Sequence, residues 1–209
     1  MLNLSRGNNG NTQNPGAGVS AGAISLQKGQ RVDLTKGNPS LDKIHVGLGW
    51  DVNEFHGAAF DLDASVFLVG KSGKIEDQKN FIFFNNLQSP NGAVKHTGDN
   101  LTGEGDGDDE SIKVQLSAVP ADVDKIIFTV SIYEAGRRSQ NFGMVSNAFI
   151  RIVDEATGQE KLRFDLTEDF SMEQSVVVGE LYRHGAEWKF NAVGRGIAGE
   201  IDQLVAMYM

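Results

Sequence analysis

A chain of 209 residues with a net charge of −9 and no cysteine is long enough to bury a full core without covalent staples, and it excludes disulfides, thiolate metal sites and thiol redox chemistry. Hydrophobic residues make up 40% of it and charged residues 22%, as in ordinary soluble globular proteins, and an acidic chain with no basic stripe argues against a nucleic-acid backbone as direct partner. Six of the 28 acids fall between Asp99 and Glu110, so the charge is local and marks a site rather than a solvated coat.

Residues 1–23 hold five Gly and five Asn with Arg6 as the one charged side chain. Such a segment cannot bury enough apolar surface to offset its ordering entropy, and is expected to be a flexible tail. It also lacks the apolar stretch of a secretory signal. No run reaches the ~18 apolar residues of a membrane span, so a cytoplasmic location is expected. Residues 24–209 are expected to form one domain.

Leu26–Leu34 predicts two short strands turning around Lys28-Gly29. Period-two alternation follows at Ile44, Val46, Leu48 and Trp50, and again at Phe60, Leu62, Ala64, Val66 and Leu68, with Asp61, Asp63 and Ser65 on the opposite face. Phe81–Phe84 is a short apolar run. Ile112, Val114 and Leu116 alternate directly after the acidic stretch, and Lys125–Glu134 is β-branched and aromatic like a central strand. Ala148–Val153, Lys161–Leu166, Val176–Arg183 and Ala186–Val193 complete the set, the last pair joined by a tight turn at His184-Gly185. Ile197, Ile201, Leu204, Val205 and Tyr208 fall at helical spacing. About nine strands, turn signals between them and one or two short helices, including one near the C-terminus, predict an all-β fold, a two-sheet β-sandwich.

The acidic stretch, DNLTGEGDGDDE from Asp99 to Glu110, combines crowded carboxylates with backbone freedom. Two carboxylates ~5 Å apart repel by roughly 3 kcal/mol at an effective dielectric near 20, and a hard divalent cation converts that cost into binding. Gly103, Gly105 and Gly107 let the backbone aim carbonyls inward, while Asn100 and Thr102 offer neutral oxygens and Asp99, Asp108, Asp109 and Glu110 supply charge. Asp61 and Asp63, two apart on a strand, project from one face with Cα atoms ~6.5–7 Å apart. The plain alternative is a solvent-facing strand surface, although Asp is disfavoured in strands. All-oxygen ligation favours calcium over zinc or copper. Asp51, after the GLGW turn, is a candidate for a second ion or a simple turn residue. His96 is an outer-shell donor or a surface-turn histidine. The EF-hand pattern does not fit, since Glu104 stands where its glycine belongs.

The blocks VGLGWD (46–51), FDLDAS (60–65), FIFFNN (81–86), DNLTGEGDGDDE (99–110), FDLTED (164–169) and GELYRH (179–184) together resemble the TerD-like tellurite-resistance and stress-protein family. The acidic pattern is met at Asp99, Asn100, Thr102, Gly103, Gly105, Gly107, Asp108, Asp109 and Glu110, and the D-x-D pattern at Asp61 and Asp63. The resemblance implies a cytoplasmic bacterial protein that binds one or two Ca2+ ions and acts with other tellurite-resistance proteins, near a membrane-bound partner. The Gly/Asn-rich extension before residue 24 departs from that pattern. The expected function is a non-enzymatic calcium-binding stress module whose loop is ordered by the ion. The competing reading is a metal-dependent hydrolase built on the same carboxylates, with His96 as base. A calcium-dependent adhesin or lectin is a third class, against which the missing signal stretch counts.

Overall fold

The computed structural model describes residues 22–51, 59–98, 107–166, 170 and 172–209. Twelve strands occupy them: β1 (Ile24–Ser25), β2 (Arg31–Asp33), β3 (Lys43–Gly49), β4 (Leu62–Val69), β5 (Phe81–Ile82), β6 (Val94–His96), β7 (Glu110–Gln115), β8 (Lys125–Ile132), β9 (Phe149–Asp154), β10 (Glu160–Asp165), β11 (Ser175–His184) and β12 (Glu187–Ile197). Helices α1 (Ala135–Arg138) and α2 (Ile201–Tyr208) are short. The strands form two six-stranded sheets, ordered β1-β10-β9-β3-β7-β6 and β2-β12-β11-β8-β4-β5. This is the expected two-sheet sandwich.

Alternation puts Ile44, Val46 and Leu48 of β3 and Leu62, Ala64, Val66 and Leu68 of β4 into one core between the sheets, as a period of two requires. β4, however, is buried on both faces. Its outer residues Phe67 and Val69 belong to a second apolar cluster with Leu204 of α2, and the Phe67 and Tyr208 rings lie 4.8 Å apart. The C-terminal helix therefore roofs the outer face of the second sheet. Ile197, whose spacing continues the helical pattern, instead ends β12.

Other boundaries moved for identifiable reasons. The turn at Lys28-Gly29 does not close a hairpin: β1 runs parallel to β10 in the first sheet, whereas β2 pairs with β12 in the second. The turn carries the chain across the sandwich. Gly185 has φ of 65° in the tight β11–β12 turn, a conformation glycine adopts without penalty, and His184 pairs with Glu187 across it. Of residues 1–23, only Gly22 and Ala23 are described, so the expected tail lies outside these residues.

Register pairs define one end of the molecule. Leu48 lies opposite Glu110, Gly49 opposite Phe149, Leu62 opposite Ile132 and Ser175 opposite Ser131. Asp51, Asp61, Asp63 and the segment Gly107–Glu110 are thus at the same end of the sandwich. No helix among the described residues is long and apolar enough to cross a membrane.

Candidate metal centre

Three consecutive acids at this end point in three directions. Asp108 lies over the outer face of the first sheet, in the space left by Gly47: a Cβ there would stand 2.1 Å from the Asp108 carboxyl carbon. Arg151 of β9 donates to the same carboxylate through Nε (2.8 Å) and Nη2 (3.1 Å), and His45 of β3 contacts it at 2.8 Å. Burial pushes the Asp108 carboxyl up, but the hydrogen bonds from His45 and Arg151 and the charge of Arg151 outweigh it and leave the group below the usual carboxylate range. Glu160 in turn accepts from Arg151 Nη1 at 3.2 Å.

Asp109 stays on the axis of β3. Its N–H donates to the Leu48 carbonyl (2.8 Å) and its Oδ2 accepts from the Trp50 N–H (2.9 Å). Burial pushes the Asp109 carboxyl up; the Trp50 bond opposes this, and the charges of Asp108 and Asp51 add to it. Asp51 is exposed and accepts from Asn147 Nδ2 at 2.6 Å.

Glu110 turns inward. β5 pairs with β4 only at Val66 and Phe67, which, among the described residues, leaves that edge of β4 without a strand partner at Ala64. Glu110 Oε2 accepts from the Ala64 N–H at 2.7 Å, and His96 Nε2 lies 3.1 Å from the Ala64 carbonyl. Two side chains from the first sheet thus take the place of a neighbouring strand on the second. The Gly98 N–H donates to His96 Nδ1, which assigns the imidazole proton to Nε2, facing that carbonyl. His96 is 5% exposed. The expectation of a surface-turn histidine is therefore corrected: His96 ends β6 and reaches into the sandwich, for which its sequence neighbours gave no signal.

Asp61 and Asp63 share the outer face of the second sheet, each 5% exposed. The Asp61 carboxylate has Arg138 Nη2 at 3.9 Å, and Asp63 lies opposite Ser131 on β8, so their side chains are neighbours on one face. The Ser131 hydroxyl is buried and has no hydrogen-bond partner among the described residues. Sequence reading passed over Ser131 because a serine inside a β-branched run looks like filler.

Asp99, Asn100, Thr102 and Gly105 lie outside the described residues. Among the described residues, no three His, Asp or Glu side chains are grouped so as to hold a metal ion. The described candidate residues fall into two groups, Asp109 with Asp51 at the end of the first sheet and Asp61 with Asp63 and Ser131 on the outer face of the second, while Asp108 and Glu110 are anchored by partners on other strands.

A two-layer sandwich with a carboxylate-rich end is the architectural class. Residues 23–208 match the TerD domain model, and the chain belongs to that family. It is 58% identical over 186 residues to general stress protein 16U of Bacillus subtilis (strain 168), covering 88% of this chain and 96% of that one. Against tellurium resistance protein TerD of Serratia marcescens it is 55% identical, covering 89% and 97%. A solved homologue of telluride resistance protein (TerD) from Streptomyces coelicolor A3(2) has the same fold, with a TM-score of 0.67 at 20% identity over 79% of this chain and 95% of that one.

Proposed function

We propose that this chain is a calcium-binding, non-enzymatic module of a bacterial stress response of the tellurite-resistance type. The names of its relatives, a general stress protein and tellurium resistance proteins, support the physiological half. The observation that carries the chemical half is the Glu110–Ala64 bond. It fastens the C-terminal end of the acidic stretch to β4, the strand that bears Asp63, which supports reading the two segments as parts of one site.

The donor set fits a hard cation. It is all oxygen, and it includes Asp109, which burial first and the charges of Asp108 and Asp51 second push up, and the buried Ser131 hydroxyl without a partner among the described residues. Asp61, Asp63, Asp109 and Asp51, with Ser131 and, from the acidic stretch of the sequence, Asp99, Asn100, Thr102 and Gly105, are the proposed ligands of one or two Ca2+ ions. Asp108 and Glu110 stand beside them as anchors. Bound calcium would neutralise these carboxylates and order the surface they form, which we take to be where other tellurite-resistance proteins dock.

The hydrolase reading is disfavoured by His96. Both of its ring nitrogens are engaged, with Gly98 and Ala64, and it is buried, so it is not placed to activate a water. Calorimetric titration with calcium, magnesium and manganese tests the proposal. Calcium is expected to give saturable heat and, at a hundredfold excess over Kd, to add about 2.7 kcal/mol of stability. No heat from any of the three ions, or turnover of phosphoesters with manganese, would refute it.

A further inference from the structure

We infer that Arg151, His45 and Gly47 are positioning residues for the calcium site proposed above: they hold Asp108 flat against the first sheet and so aim the adjacent Asp109 at the ion. The inference rests on the calcium reading. None of the three residues carries an obvious ligand signal, and Gly47 carries no side chain at all.

The geometry is that of a clamp. Gly47 leaves a recess that a methyl group would fill, since a Cβ there would meet all three terminal atoms of the Asp108 carboxyl within 2.4 Å. The second glycine of the same strand, Gly49, makes room first for the Phe149 ring, 2.5 Å from a built Cβ, and then for the Gly107 carbonyl at 3.0 Å. Glycines two apart on the outer face of β3 thus leave space for Asp108 over Gly47 and for the Phe149 ring beside Gly107 over Gly49. Arg151 grips the carboxylate with two N–H groups and is itself held by Glu160, while His45 closes the third side. Glu110 is fastened on the other side of Asp109 to the edge of β4. With both neighbours anchored, Asp109 has its backbone direction set and one carboxylate oxygen tied to Trp50.

Charge and position predict opposite outcomes here. A guanidinium beside a cation site repels the cation, so by Coulomb's law alone, removing Arg151 would tighten calcium binding. If Arg151 acts by position, removing it weakens binding. Outer-shell partners of metal ligands are worth 10–100-fold in affinity, and R151Q is expected to raise the calcium Kd by about tenfold or more. R151K should recover part of this, because a lysine supplies the charge without the two-pronged grip. G47A should weaken binding although Arg151 is intact, by pushing Asp108 out of its recess.

The test is a calcium titration of wild type, R151Q, R151K and G47A, with a thermal melt of each in EDTA. Weaker binding by R151Q with partial recovery in R151K supports the clamp. Equal or tighter binding by R151Q, or a lower Tm in EDTA with an unchanged Kd, overturns it and leaves the calcium reading standing. Absence of binding by wild type overturns both. Should G47A not fold, the Arg151 pair decides alone.

Discussion

Replacing His96 by alanine perturbs the closure of the sandwich at one residue. The wild-type imidazole bonds the Ala64 carbonyl at 3.1 Å and accepts from the Gly98 N–H at 3.2 Å, and its side chain is 1% exposed. Two hydrogen bonds are worth about 1 kcal/mol each. Emptying a buried space of ring size costs roughly 2–3 kcal/mol more, by analogy with large-to-small core changes. H96A should therefore cost about 3–5 kcal/mol, or roughly 6–20 °C in Tm for a domain of this size. Urea unfolding in EDTA at neutral pH measures this without contribution from bound metal. H184A is the control: His184 is exposed at the β11–β12 turn, and its loss should stay within ~0.5 kcal/mol. A cost below ~1 kcal/mol for H96A, at an unchanged m-value, would refute the claim that His96 and Glu110 substitute for a missing strand.

Two further outcomes are expected. S131A should leave stability in EDTA unchanged or slightly raised, since the hydroxyl has no hydrogen-bond partner among the described residues and a buried unsatisfied polar group costs ~1–3 kcal/mol; a clear loss of stability in EDTA would show that the hydroxyl is engaged without metal. Asp42 accepts the Ser117 N–H at 2.8 Å, and that bond, against a smaller effect of burial, holds its carboxyl below the usual range. Its contribution is therefore complete above the unfolded value near ~3.9 and lost as the pH falls through the lower folded value. D42A should cost about 1 kcal/mol at pH 7, and urea unfolding at pH 3 should show a smaller difference; a larger one there would contradict the assignment.

The fold was legible because alternation is a direct record of burial. β3, β4 and β7 announce themselves by a period of two, and β8 by its β-branched and aromatic residues. β6 escaped notice because three residues, Val94, Lys95 and His96, are too few to show a period. The second apolar cluster escaped because Phe67 and Val69 share a face with Asp63 and Ser65, and no local pattern says that a helix 130 residues later in the chain covers half of that face. At the candidate site, composition pointed to the acidic segments but could not separate the contacts that each residue of Asp108–Glu110 makes. The sequence Asp108-Asp109-Glu110 looks like three equivalent ligands. The distinction between them lies in partners on other strands: Gly47 and Arg151 for the first, Trp50 for the second, Ala64 for the third. One trace was present in the sequence, since glycines at 47 and 49 occupy the outward positions of a strand where β-formers are preferred. Such gaps mark the approach of another piece of chain.

The divergent headings of residues 108, 109 and 110 make this stretch sensitive to length as well as to identity. Deleting or inserting one residue just before β7 would deliver each acid to its neighbour's berth, placing a short aspartate where only a glutamate spans the gap to Ala64 and leaving the Gly47 recess empty. Lineages of this fold should thus keep the count of residues between Gly107 and the start of β7 fixed.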